Sequence, residues 1–148
     1  MMSNEYSDFC WEIFLLTHAL ERVALKKFRK SKLNTTLNQS GVLMYLAMMT
    51  PEKEVCQQDI AQFLNVRPAS VNGMLIELES RGLVKRSISE KDARFRKIEL
   101  TEQGAEKMEE IKLAREEVLA ALQGNISDKD IQRFSEICRE MTRRAEEI

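Results

Sequence analysis

Hydrophobic positions keep a helical rhythm along most of this chain and break it once. From about Asn4 to Lys30, Phe9, Ile13, Leu16, Leu20 and Val23 step in alternating fours and threes, a heptad-like seam. Phe14, Leu15, Ala19 and Ala24 widen that seam, and a helix apolar over so much of its girth must bury more than one side. Asn38 reads as the N-cap of a second helix reaching about Met49, with Val42, Leu43, Leu46 and Ala47 turned inward. Two shorter patterns follow. Ile60, Ala61 and Leu64 share one helical face, then Val71, Leu75 and Leu78 share another.

The break comes next. Leu83, Lys85, Ser87 and Ser89 alternate with Val84, Arg86 and Ile88, and Phe95, Lys97, Glu99 and Thr101 alternate with Arg96, Ile98 and Leu100. Period-two patterning on both sides of the polar run Ser89-Glu90-Lys91-Asp92 predicts a β-hairpin. Helical spacing then resumes. Thr101 should cap a helix to about Leu122 whose stripe is Met108, Ile111, Val118 and Leu122, ended by Gly124. Ser127 opens a last helix in which Ile131, Phe134, Cys138, Met141, Ala145 and Ile148 form a second heptad seam.

The breakers agree with this layout. Val66 sits between the two short helices and should plug their corner. Pro68 suits a first helical turn, where its missing N–H leaves no bond unmade. Gly82 suits the residue just past a helix end. Helix, turn, helix, hairpin is the order of a winged helix-turn-helix. The fold class is therefore mainly α (α+β), one domain of 148 residues. Residues 36–101 form the lobe, and 1–32 with 102–148 form a helical platform.

Charge is unevenly spread. Residues 67–97 hold eight bases and four acids, a surplus of +4, in a chain of net charge -1. Residues 98–148 hold eight bases and thirteen acids. A positive head on a negative platform suggests that the head faces a polyanion. Opposite Val71 and Leu75, the second short helix carries Ala69, Ser70, Asn72 and Gly73. Short and polar side chains are what a helix pressed into a major groove requires.

On these residues the chain resembles the MarR family of transcription regulators. The matching pieces are Leu37-Asn38-Gln39 with Val42-Leu43, Ile60-Ala61 with Leu64 and Val66, and Leu78-Glu79-Ser80-Arg81-Gly82-Leu83-Val84. Most specific is Lys91-Asp92-Ala93-Arg94 followed by Leu100-Thr101-Glu102-Gln103-Gly104. The resemblance implies a homodimer that binds double-stranded DNA at a pseudo-palindromic operator, as a repressor, with Arg94 entering the minor groove from the wing and oriented by Asp92. The residues expected at DNA are Arg67, Ser70, Asn72, Gly73, Arg86, Lys91, Asp92, Arg94 and Arg96. Arg67 and Lys91 are expected to meet phosphates, which carry affinity and salt dependence more than sequence choice. Winged helices also serve as protein-interaction adaptors, and that is the alternative reading.

Composition narrows the rest. With 43% hydrophobic and 32% charged residues, five glycines and two prolines, the chain suits long helices and a packed core. No apolar run approaches the roughly 20 residues that span a bilayer. The acidic start MMSNEYSDFCWE lacks a signal-peptide layout, so a cytoplasmic protein without membrane association is expected. Cys10, Cys56 and Cys138 are odd in number and far apart, which argues against a disulfide framework. There is one histidine, His18, and no phosphate loop, zinc-ligand spacing or nucleophile motif. No enzyme activity, cofactor or metal is expected.

Two regulatory readings follow from the resemblance. In its hydroperoxide-sensing branch a cysteine near the start of the first helix is oxidised and DNA is released, and Cys10 holds that place. Phe14, one turn on, offers no hydroxyl to a thiolate, and the alternative is a buried structural thiol. The family also binds small aromatic or lipophilic effectors between head and platform. Phe9, Phe14, Phe28, Tyr45 and Met48 would line that pocket, or form ordinary core.

Overall fold

The computed structural model describes residues 4–30, 34–50 and 52–148, with side chains described from residue 8 to 27 in the first span. Six helices and one hairpin occur among them: α1 (Asn4–Lys30), α2 (Leu37–Met48), α3 (Gln57–Leu64), α4 (Pro68–Ser80), β1 (Val84–Ile88), β2 (Arg96–Leu100), α5 (Glu102–Gln123) and α6 (Asp128–Ala145). The chain divides into two compact units, residues 1–115 and 116–148.

The core of the first unit is built where the apolar periods converge. Val42, Leu43 and Leu46 of α2, Ile60 and Ala61 of α3, and Val71, Leu75 and Leu78 of α4 pack with Val84, Ile98, Ile111 and Ala114. Eight of the largest core side chains are almost completely shielded, and each fully buried aliphatic chain stabilises the fold by about 1.5–3 kcal/mol. In α2 it is Tyr45, not Ala47, that completes the buried face. Tyr45 is large enough to reach the ring of Phe63, at 4.6 Å between centroids.

The helix ends follow their local chemistry, with one correction. Thr36, and not Asn38, caps α2. Its hydroxyl accepts from Gln39 N at 3.2 Å, and the Gln39 side chain accepts from Thr36 N at 3.1 Å. This reciprocal pair satisfies two otherwise orphaned donors, and it places Asn38 inside the first turn. Asn65 takes the left-handed conformation (φ 51°) after α3, and Val66 N bonds back to Ala61 O. Val66 packs on the core at this corner. Gly82 (φ 68°) does the same after α4, with Leu83 N donating to Leu78 O at 2.9 Å.

β1 and β2 pair antiparallel, with Val84 opposite Leu100, Arg86 opposite Ile98 and Ile88 opposite Arg96. The wing is also anchored sideways, since Ile98 N donates to Val55 O at 2.8 Å. At its base Thr101 works three ways. Its hydroxyl donates to Gly82 O and accepts from Gly104 N, and its N–H donates to Leu83 O. Gly104 lies so close to Leu83 that an added Cβ would fall 1.9 Å from the carbonyl oxygen. That approach accounts physically for a Thr-x-x-Gly run at this point.

In the second unit, Gly124 (φ 51°) ends α5, and Ser127 caps α6 by accepting from Asp130 N at 3.1 Å. Gln123 closes the turn by donating to Asp128 at 2.7 Å. Large apolar side chains stay uncovered on both terminal helices: Phe9, Trp11, Ile13, Phe14, Leu16 and Leu20 on α1, and Phe134, Ile137 and Met141 on α6.

Candidate nucleic-acid interface

Two elements carry the site. α4 begins at Pro68, and Gln57 at the start of α3 donates to Pro68 O at 2.8 Å, fixing the angle between the two helices. Burial of Val71, Leu75 and Leu78 turns the opposite surface of α4 outward. Arg67, Ala69, Ser70 and Gly73 are exposed there, and nothing lies within 4 Å of the place a Gly73 side chain would occupy. Asn72 lies on the flank of this surface, half-buried.

The wing tip is a folded turn. Ser89 is buried, and its hydroxyl donates to Glu54 while accepting from Lys91 N at 3.0 Å and Asp92 N at 3.1 Å. Asp92 then accepts from Arg94 N at 2.9 Å, and Phe95 N returns to Asp92 O. The Asp-x-Arg run is thus an Asx turn that holds the backbone of Arg94. Asp92 and Arg94 are both exposed, as are Lys91 and Arg96.

Charge along the wing is sorted by position. Glu99 draws both Lys97, at 2.8 Å, and Lys85, at 3.8 Å. The hydrogen bond to Glu99 raises the Lys97 ammonium above its ordinary range. The strands are thereby partly neutralised, and the exposed cations of the tip stand forward.

Arg86 is placed differently from the other wing cations. The pleat sets it on the same side as Val84 and Ile98, toward α4. Its Nε and Nη2 both donate to Glu79 Oε2, at 3.0 and 2.7 Å, and its Nη1 donates to Asn72 Oδ1 at 3.1 Å. The hydrogen bond from Arg86 holds the Glu79 carboxyl below its ordinary range. Sequence reading missed both partners, although Asn72 and Glu79 are seven residues apart, two helical turns on one face.

The regulatory candidates are scattered. Cys10 is exposed on α1, not buried. Trp11 and Phe14 stack at 5.2 Å, and Phe14 meets the edge of His18 at 4.2 Å. His18 is exposed and lies 3.4 Å from Glu21. Of the effector-pocket candidates, Tyr45 is buried against Phe63, while Phe9, Phe14 and Met48 are exposed. The side chain of Phe28 lies outside the described residues. Among the described residues no group of His, Cys, Asp and Glu has the arrangement to hold a metal, and no helix is long and apolar enough to cross a membrane.

Comparison with known proteins follows the same outline. The family described as "Transcriptional regulator SarA/Rot" matches residues 24–111. The HTH-type transcriptional regulator YdgJ of Bacillus subtilis is 29% identical over 124 residues, covering 84% of this chain and 75% of the relative. A MarR family transcriptional regulator from Rhodococcus sp. RHA1 superposes with a TM-score of 0.79 at 18% identity, covering 95% of this chain and 97% of that one. The MepR–DNA complex of S. aureus superposes with a TM-score of 0.73 at 22% identity, covering 97% and 99%. At such identities the solved structures share the fold.

Proposed function

The chain belongs to the SarA/Rot family of transcriptional regulators, built as a MarR-type winged helix-turn-helix, and from that premise we propose that it represses transcription as a homodimer on a pseudo-palindromic operator. The regulator binds DNA. α4 lies in the major groove, with Ser70, Asn72 and Gly73 nearest the base edges. Lys91, Arg94 and Arg96 follow the backbone and minor groove from the wing, with Asp92 holding the turn, and Arg67 meets phosphate. Arg86 serves the same surface from behind. Repression follows from occupancy of the promoter, without any catalytic step.

The observation that carries this reading is a clean α4 surface beside a wing tip whose exposed cations sit on a hydrogen-bonded turn. A preformed turn lowers the ordering cost of binding. Exposed apolar faces on α1 and α6 support a homodimer, since such area seldom stays in water. Two heads would then address half-sites about 10 base pairs apart, or one helical turn.

An effector or oxidant that changes the separation of the heads would remove one half-site's contacts. The exposure of Cys10 is compatible with a thiol switch. Met48, outside the α1 band assigned to the dimer, together with whatever of Phe9 and Phe14 the second copy leaves uncovered, offers apolar surface for a lipophilic effector. Selection of bound sites from random duplex DNA at several salt concentrations tests the core of the proposal. Enrichment of an inverted repeat, with affinity falling steeply in salt, is expected. Salt-independent binding, or no enriched sequence, would favour the adaptor reading.

A further inference from the structure

Arg86 occupies an unusual position for a wing cation. It reaches into the angle between β1 and α4 and joins two residues of the recognition helix. A guanidinium only donates hydrogen bonds, so the Asn72 atom facing it must be the amide oxygen, at 3.1 Å. That contact settles which way the amide is turned. The oxygen points back toward the hairpin beside a positive charge, and the NH2 group is left to point away from it.

The chemistry of the groove makes this orientation consequential. An asparagine ordinarily reads adenine with both halves of its amide, accepting from N6 and donating to N7. With the oxygen held against Arg86, accepting from an adenine N6 would bring that donor toward a cation. The NH2 group keeps two donors, and guanine presents two acceptors, N7 and O6, on its major-groove edge.

We propose that Arg86 sets the base preference of α4 by clamping the Asn72 amide in a donor-outward orientation, so that Asn72 selects guanine over adenine. Arg86 is thus a positioning residue and not a DNA contact. Glu79 is its anchor, taking two of its N–H groups on one carboxylate oxygen at 3.0 and 2.7 Å. The side chains of Arg86 and Glu79 are 27% and 39% exposed, so the clamp is only partly screened by water. This inference rests on the DNA-binding reading and refines one position of it.

The experiment is a comparison of base-preference profiles, obtained by site selection, for the unsubstituted chain and four variants. Asn72→Ala identifies the base pair that Asn72 reads, as the position where discrimination is lost. At that pair the unsubstituted protein should prefer G·C. Arg86→Met frees the amide and should shift the preference toward A·T by roughly five- to a hundredfold, the range of one good side-chain–base contact. Arg86→Lys, which still donates, should retain the guanine preference. Glu79→Gln loosens the anchor and should move the profile in the same direction as Arg86→Met, by less, which keeps the test open if Arg86→Met folds poorly. A general loss of stability would weaken binding to all sequences without exchanging guanine for adenine. Preference for A·T in the unsubstituted protein, an unchanged profile in both the Arg86→Met and Glu79→Gln variants, or no position sensitive to Asn72→Ala would each overturn the inference. These outcomes leave the inverted repeat intact. Absence of any enriched sequence overturns the DNA-binding reading itself, and this inference with it.

Discussion

Ser89 donates its hydroxyl to Glu54, and that bond ties the start of the wing turn to the segment leading into α3. The same hydroxyl accepts two backbone N–H groups, from Lys91 and Asp92. One buried oxygen therefore organises the turn from which Arg94 projects. Ser89→Ala would leave two N–H groups and a carboxylate without this partner, at a cost of about 1–3 kcal/mol. The melting temperature should fall moderately, and DNA affinity should fall as the tip loses its fixed shape. A variant that melts lower yet binds DNA at full affinity would show that the turn need not be preformed.

Gly104 supports the base of the wing in a different way, by lacking a side chain. Its close approach to the Leu83 carbonyl leaves no room for a methyl group, and the obstacle is backbone. Gly104→Ala should destabilise the first unit by about 1–3 kcal/mol, the ordinary cost of overpacking, or more. Chemical denaturation measures it. A neutral result would mean that α5 can move outward at little cost.

These two residues mark the boundary of what the sequence makes legible. Periodicity located all six helices and the hairpin, because Leu43, Leu75 and Ile98 must face inward whatever surrounds them. The Thr101 cap and the positive φ of Gly82 were readable because each is a property of one residue and its neighbours. Ser89 with Glu54, and Arg86 with Glu79 and Asn72, were not readable. Each pairs residues from different elements, and neither the charge surplus nor the alternation names a partner. Charge places Arg86 among the residues expected at DNA, but says nothing of its bonds to Glu79 and Asn72 of α4. Asn38 is a good cap by residue type, but so is Thr36, and only the bond to Gln39 shows which of them caps α2.

Arg94 is exposed, and its backbone is held by Asp92. A cation presented in this way to DNA displaces condensed counterions on binding. Arg94→Ala should weaken binding and reduce the salt slope by roughly one unit per subunit. Asp92→Ala leaves the cation in place but releases its turn, so affinity should fall while the slope changes less. Affinity measured at four or five salt concentrations separates the two. Equal slopes for the Arg94→Ala variant and the unsubstituted protein would remove Arg94 from the interface.

The Glu79–Arg86 bond also predicts a dependence on acid. Arg86 holds the Glu79 carboxyl below its ordinary value of 4.5. The unfolded chain then binds this proton more readily than the fold does. The contribution to stability is complete above the ordinary value and disappears as pH falls through the lower, folded value. The pair is partly exposed and partly screened, so the effect is small, roughly 0.2–1 kcal/mol. Glu79→Gln should melt slightly below the unsubstituted protein at pH 7, and the gap should close below pH ~4.5. A gap that persists at pH 3 would assign the difference to packing and not to charge.

The terminal helices give the broadest prediction. On α6, Phe134, Ile137 and Met141 lie at helical spacing, half-exposed, and a similar band runs along α1 from Phe9 to Leu20. Burying such faces against a second copy would make the dimer more apolar at its centre than the rest of the surface, as in other homodimers. Ile137→Lys with Met141→Lys places two charges in the middle of that contact, where each is costly unless paired. If the proposed homodimer forms through this face, the double variant should sediment as a monomer at concentrations where the unsubstituted protein sediments as a dimer. Its first unit should keep its fold, because the core residues from Val42 to Ala114 are untouched. Operator affinity should fall by orders of magnitude, since one head alone forfeits the other's half-site, while weak salt-dependent binding to any duplex persists. A variant that remains dimeric would place the interface elsewhere, and a monomer that binds the full operator unimpaired would show that the two heads do not act together.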